Sequence, residues 1–162
     1  MTSLVWTFAR LERLLPRDVY DFLALRSAIF VVEQNCVFLD PDGYDDRSWH
    51  LLGRDGAGRL VAYLRIVDPG IKFAEPSIGR VTTQIDVRGL GYGVSLMEEG
   101  IRRCRALWPD AAIKIGAQQR LMPFYQSLGF TASGDPYIED DIPHIEMVRK
   151  SVPLATNQGD TQ

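Results

Sequence analysis

The sequence is poor in everything that marks a disulfide-stapled, membrane-spanning or nucleic-acid-coating protein. Its 162 residues include two cysteines, Cys36 and Cys104, and two histidines, His50 and His144. Two cysteines cannot build a disulfide scaffold and neither sits in a C-x-x-C pair, so a reducing compartment, the cytoplasm, is the expected setting. No apolar run approaches the ~18 residues that a membrane-spanning helix needs. Residues 1–15 lack the cationic start, apolar stretch and small-residue site of a secretory leader. There is no basic excess: 18 Lys and Arg stand against 21 Asp and Glu, a net charge of -3. That balance argues against nucleic acid as the main partner. Glycine (14) and proline (9) are at ordinary levels, which removes collagen-like and low-complexity classes. What is present, 46% hydrophobic and 24% charged residues, suits one globular domain.

Residues 6–150 can belong to one fold, whereas 151–162 is polar, small and without an apolar face, and reads as a flexible tail. Val5 to Ala9 suits an edge strand. Pro16 suits the first turn of a helix, and Val19, Phe22, Leu23, Leu25, Arg26, Ile29 and Phe30 follow at mostly helical spacing. The segment 35–47 is loop-like. Two strands, Trp49 to Gly53 and Leu60 to Val67, are joined by a turn at Asp55-Gly56-Ala57-Gly58. Ile78 to Val87 reads as extended and ends in closely spaced glycines. Val94, Met97, Ile101, Cys104, Leu107 and Trp108 then recur as one helical stripe. A strand at Ile113 to Ala117, a short helix at Leu121 to Leu128, and two extended pieces about Asp140-Asp141 complete the pattern. This order predicts a mixed α/β domain around one sheet.

The segment Ile85-Asp86-Val87-Arg88-Gly89-Leu90-Gly91-Tyr92-Gly93-Val94 carries the clearest chemistry. A strand enters a loop with glycine at alternate positions and leaves as an amphipathic helix. Glycine permits positive φ, so successive N–H groups can converge on one anion. The helix start adds unpaired N–H groups and the positive end of its dipole, and Arg88 adds a formal charge. The device suits a phosphate or diphosphate. A Walker loop would end in Gly-Lys before Ser or Thr, but Val94 and Ser95 follow Gly93; a dinucleotide fingerprint would want glycine at 94.

Arg88-Gly89-Leu90-Gly91-Tyr92-Gly93 resembles the Arg/Gln-x-x-Gly-x-Gly/Ala loop of the GCN5-related N-acetyltransferases, the GNAT superfamily. Downstream, Phe124-Tyr125-Gln126-Ser127-Leu128-Gly129-Phe130 resembles that family's Tyr-x-x-x-Gly-Phe element. Four further segments are similar to the ElaA branch: Phe30-Val31-Val32-Glu33-Gln34, Ile78-Gly79-Arg80-Val81, Gly116-Ala117-Gln118 and Ile142-Pro143-His144-Ile145. The resemblance implies a central, splayed mixed sheet flanked by helices, with acetyl-coenzyme A between two separating strands. It implies that the backbone of Ile85, Asp86 and Val87 meets the pantetheine arm and that Arg88 to Val94 cradles the diphosphate. Gln118 would lie near the thioester, and a homodimer is compatible with the family. The implied activity is direct acetyl transfer to a primary amine of a small molecule or protein. A non-catalytic acyl-coenzyme A-binding or sensing module on the same fold is the alternative.

Such transfer needs a neutral amine, a donor for the developing oxyanion and a proton for the departing thiolate. Tyr125 matches the family's tyrosine and is the candidate for the last task. The base is open: Val81, Thr82, Thr83 and Gln84 supply no carboxylate, leaving Glu33, His144 or a water chain. His50 lacks metal-ligand spacing, and Asp40, Asp42, Asp45 and Asp46 lack the terminal glutamate of a calcium loop, so no metal is expected. Those aspartates read as a solvated loop. If they and Glu139 to Asp141 border one cleft, they favour a cationic amine.

Overall fold

The computed structural model describes residues 3–152; from residue 153 onward the predicted tail lies outside the described residues. The chain runs β1 (Val5–Arg10), α1 (Pro16–Arg26), β2 (Ser48–Arg54), β3 (Leu60–Val67), β4 (Ser77–Thr83), α2 (Tyr92–Leu107), β5 (Ile113–Gln118), α3 (Met122–Ser127), β6 (Thr131–Ala132), β7 (Tyr137–Glu139) and β8 (Ile142–Arg149). Strands β1-β2-β3-β4 form one antiparallel sheet in that order. A second sheet has the order β5-β8-β6, with β7 also on β8.

Strand β3 sets the architecture. It is apolar or aromatic at every position but Arg65, and all of it is buried, the pattern of a strand covered on both faces. Ala62, Leu64 and Ile66 pack against Leu96, Met97, Ile101 and Cys104 of α2. Tyr63, with Leu52, packs against Phe22, Leu25 and Ile29 on the first helix. Burial pushes the Cys104 thiol up to about 12, which suits a core residue and not a nucleophile. The β2–β3 turn forms as composition predicts: Asp55 Oδ1 accepts the N–H groups of Ala57 and Arg59 at 3.0 Å each. Asp140 and Asp141 take φ of 50° and 61° at the β7–β8 turn.

Three local features shape the region between the sheets. First, α1 does not stop where its hydrogen-bond pattern changes; it widens into a π-helical segment, Ser27–Glu33, carrying Phe30 and Glu33 forward. Second, β4 carries a bulge. Tyr63 faces Thr82 but Arg65 faces Gly79, so three steps of β4 span two of β3. Arg80 occupies the extra position with φ of 52°. Third, β4 and β5 begin side by side, where Lys114 N–H donates to Pro76 C=O at 3.1 Å. No ladder continues between them among the described residues. Beyond that contact they are not paired, so the splay expected is present, but as two antiparallel sheets and not one continuous sheet.

One predicted element ends early. The extended run from Ile78 stops at Thr83, and Ile85–Val87 is a 3₁₀ turn. Gln84 N–H still donates to Val61 C=O at 2.9 Å, but Val87 N–H and Arg88 N–H turn back to Gln84 and Ile85 C=O, both at 3.3 Å. Apolar character alone does not separate a strand from a short turn that buries one of its residues.

Candidate active site

Backbone alternation decides which amides meet the gap. Gln84 faces β3, so Thr82 does too, and the N–H and C=O groups of Val81 and Thr83 face the open side. A cavity of about 310 Å³ lies there, lined by Val81, Thr82 and Thr83 from β4, Gln118 from β5, and Arg88 and Tyr125. The strand edge beside this cavity is therefore Val81–Thr83 and not Ile85–Val87. Ile85 is exposed, Asp86 pairs with Arg59 at 2.9 and 3.2 Å, and Val87 packs beneath Tyr92 and Val61. None of these three lines this cavity, though Val87 borders the hollow beside the glycine loop.

The glycine loop next to it is open. Gly89 and Gly91 have φ of 83° and 84°, conformations that side chains resist. Leu90 N–H donates to Val87 C=O at 3.4 Å and Ser95 N–H to Gly91 C=O at 3.1 Å. The amides of Gly89, Gly91, Tyr92, Gly93 and Val94 have no backbone acceptor among the described residues. They border a hollow of about 320 Å³ whose wall includes Arg88, Val94 and Phe124. Leu90 is outside it, half exposed, and the Tyr92 side chain is buried in the core. The donors, the helix start and the space fit a diphosphate.

Arg88 is engaged by Glu33 in a bidentate pair, with Nη2 donating to Oε2 at 2.7 Å. That hydrogen bond and charge hold the Glu33 carboxyl below its ordinary range. Glu33 is thus ionised and engaged by Arg88.

A second cavity, about 100 Å³, meets the first. Both are lined by Phe30, Gln34, Val81, Gln118, Leu121 and Tyr125. Tyr125 is 7% exposed, and burial pushes its hydroxyl up to about 12, so it keeps its proton. Phe124 and Phe130 meet its ring edge-on, with centroids at 5.1 and 6.0 Å. Gln118 is held from two sides, donating to Gln34 Oε1 at 3.3 Å and accepting from Arg120 Nε at 3.2 Å. His144 sits opposite Gln118 in the β5–β8 register and lines the second cavity. Its Nδ1 is 2.7 Å from Ile142 C=O. A carbonyl only accepts, so Nδ1 carries a proton, and Nε2 is the ring nitrogen left facing the cavity.

The aspartate loop is solvated only in part: Asp42 and Asp46 are exposed, whereas Asp40 is buried and Asp45 half-buried. Asp40 and Arg26 are buried and paired at 2.8 Å; Asp45 takes Arg26 at 2.7 Å and Arg65 at 3.0 Å. Asp42 takes Arg65 in a short contact and Arg80 at 3.3 Å. Asp40 also faces Arg80 Nε at 2.9 Å. Composition favours a wet loop, but three arginines reaching it from α1, β3 and β4 draw it inward. The available signal was Arg26 on an apolar helix face and Arg65 inside an apolar strand. Glu139 and Asp140 do border the second cavity; Asp40, Asp42 and Asp45 do not.

The family model for the acetyltransferase (GNAT) domain matches residues 44–151. This chain belongs to the GNAT family. Within it, the GNAT chain is 40% identical to ElaA of Escherichia coli over 149 residues, 91% of this chain and 97% of that protein. A UPF0039 protein of Synechocystis is also 40% identical, over 91% of this chain and 96% of its own. Among solved structures, an acyl-CoA N-acyltransferase from Pseudomonas aeruginosa superposes with a TM-score of 0.86 at 40% identity, covering 91% of this chain and 99% of that one. The crystal structure of E. coli ElaA gives 0.83 at 39%, with coverage of 91% and 99%. Acyl transfer with an acyl-CoA co-substrate is the chemistry of the GNAT fold, and the ElaA branch is this chain's place in it. No described helix of this GNAT domain is long and apolar enough to cross a membrane.

Proposed function

We propose that the chain is an N-acetyltransferase that moves an acetyl group from acetyl-CoA directly to a primary amine of a small molecule or protein. The observation that carries this reading is the meeting of two cavities at Val81, Gln118 and Tyr125. One cavity adjoins the glycine loop; the other holds His144. A donor and an acceptor can therefore meet without a covalent enzyme intermediate.

When bound, the co-substrate supplies an activated acetyl carbon and a thiolate leaving group. The free amides of Gly89, Gly91, Tyr92, Gly93 and Val94, with Arg88, hold the diphosphate. The open-side N–H groups of Val81 and Thr83 align the arm and receive the carbonyl oxygen as charge grows on it. His144 Nε2 accepts the proton that the amine loses, directly or through one water. Tyr125 gives its proton to the departing sulfur, and its raised pKa keeps that proton available at neutral pH. Glu33 orients Arg88.

Thiol release from acetyl-CoA across a panel of amines tests the assignment, alongside calorimetric binding of acetyl-CoA. Turnover with at least one amine is expected. Tight binding with no turnover for any amine would instead favour a non-catalytic acyl-CoA sensor.

A further inference from the structure

The second cavity has an unequal distribution of charge that bears on its acceptor. Its lining includes Arg65, Lys72 and Arg80 from β3, β4 and the segment joining them, and Glu139, Asp140 and His144 from the β7–β8 hairpin. The three nearby aspartates are already spent: Asp40 on Arg26 and Arg80, Asp42 on Arg65 and Arg80, Asp45 on Arg26 and Arg65. Three carboxylates balance three guanidiniums, so the arginines carry no surplus charge, but they keep uncommitted donors. Arg65 is 2% exposed, and its Nε–H has no acceptor. Arg80 donates through Nη2 to Asp40 C=O and Asp42 Oδ2; its Nε lies 2.9 Å from Asp40 Oδ1 as an ion pair without a hydrogen bond, and Nη1 has no protein acceptor among the described residues. Its guanidinium is held between Phe30 and Phe38, 5.8 Å from each ring centroid. Lys72, at the cavity rim, has no carboxylate within ion-pair distance among the described residues; burial lowers its pKa, and Glu139 is the leading charge that opposes this. The cationic group is thus a fixed guanidinium edge beside an unpaired ammonium.

The β7–β8 hairpin is built for an amine. Glu139 lies 3.7 Å from His144 Nε2, so an incoming ammonium meets a carboxylate and then the imidazole edge. A purely cationic acceptor would leave the Lys72 ammonium facing a like charge and the free Arg80 Nη1 donor without an acceptor. A purely anionic one would leave nothing to acetylate.

We propose that the acceptor is a small zwitterion of the amino-acid type, its carboxylate on Lys72 and Arg80 and its amine at His144. The proposal rests on the acetyl-transfer reading and narrows its substrate. A carboxylate suits the site because a guanidinium edge and an ammonium supply separate donors to its two oxygens.

The test uses matched acceptors: glycine, β-alanine and γ-aminobutyrate against their primary amides, with 1,3-diaminopropane and 2-aminoethylphosphonate as further arms. With the whole chain and acetyl-CoA, at least one acid should exceed its amide and the diamine by ~10-fold or more in kcat/KM. The phosphonate should fall below β-alanine. In a Lys72→Gln variant of unchanged Tm, the acid-to-amide ratio should collapse toward one. Amides or the diamine matching the acids, the phosphonate leading, or a ratio unmoved by Lys72→Gln overturns the proposal. If no amine turns over, the transferase reading fails separately. Calorimetry on the CoA-bound protein then decides: acids binding ~10-fold tighter than amides uphold the charged subsite, and equal binding removes it.

Discussion

At the scale of single residues, position in the site separates the candidates more sharply than residue type. Tyr125 and Glu33 both have protons to exchange, but one is a protonated phenol where two cavities meet and the other a carboxylate clamped on Arg88. Tyr125→Phe keeps the edge-on packing and removes only the hydroxyl. It should lower kcat by ~10²-fold with KM for acetyl-CoA within about twofold, as steady-state kinetics will show. Glu33→Gln should do the reverse, changing the affinity for CoA more than kcat, because its partner faces the diphosphate hollow. Calorimetric titration with CoA measures that directly. If kcat falls instead, Glu33 acts on the amine.

At the scale of elements, the site is made by irregularities: a π-helical end on α1, a bulge in β4, and a loop with two glycines at positive φ. Gly91→Ala places a Cβ where φ is 84°, a cost of about 1–2 kcal/mol for a left-handed residue. Its neighbouring amides form the anion cradle, so CoA affinity should weaken together with Tm. The β4 bulge depends on Asp40, which holds Arg80 against its unfavourable φ while pairing with fully buried Arg26. Breaking such a buried pair from one side costs about 3–5 kcal/mol. Asp40→Asn should therefore cut thermal stability clearly in a melting experiment. Periodicity made the strands, α1 and α2 legible. It placed the end of β4 four residues too far along, because Val87 is buried like a strand residue while its backbone turns.

At the scale of the whole molecule, the buried Arg–Asp–His–Tyr network ties the first helix and the aspartate loop to the sheet, and it makes stability depend on pH. His50 is fully buried. Its Nε2–H donates to Asp45 C=O at 2.8 Å and its Nδ1 accepts from the Tyr63 hydroxyl at 2.7 Å. Burial above all holds its pKa below the ordinary histidine value. In the unfolded chain the imidazole titrates near ~6.5. Below that value the unfolded chain takes up the proton first, so His50 favours folding fully above pH ~6.5 and progressively less as pH falls through the lower folded value. Asp42 and Asp45 are also depressed: burial opposes their ionisation, and their arginine partners outweigh it. Their stabilisation is present above the ordinary aspartate range, near ~3.9, and is lost at lower pH. Melting curves should show Tm declining from pH 7 to 5 and again below 4, and His50→Gln should flatten the first decline.

The α/β class, the antiparallel start, the glycine loop and the family are legible in the residues alone, because each is written in local periodicity or in a short ordered motif. Folding alone makes Val81–Thr83 the open edge, closes Glu33 on Arg88, and draws Asp40, Asp42 and Asp45 onto three arginines. Those outcomes depend on contacts between residues far apart in the chain, Arg26 with Asp45 or Glu33 with Arg88. Charge composition records how many such groups exist, whereas only the packed fold brings opposite charges within reach and removes the water that would otherwise screen them.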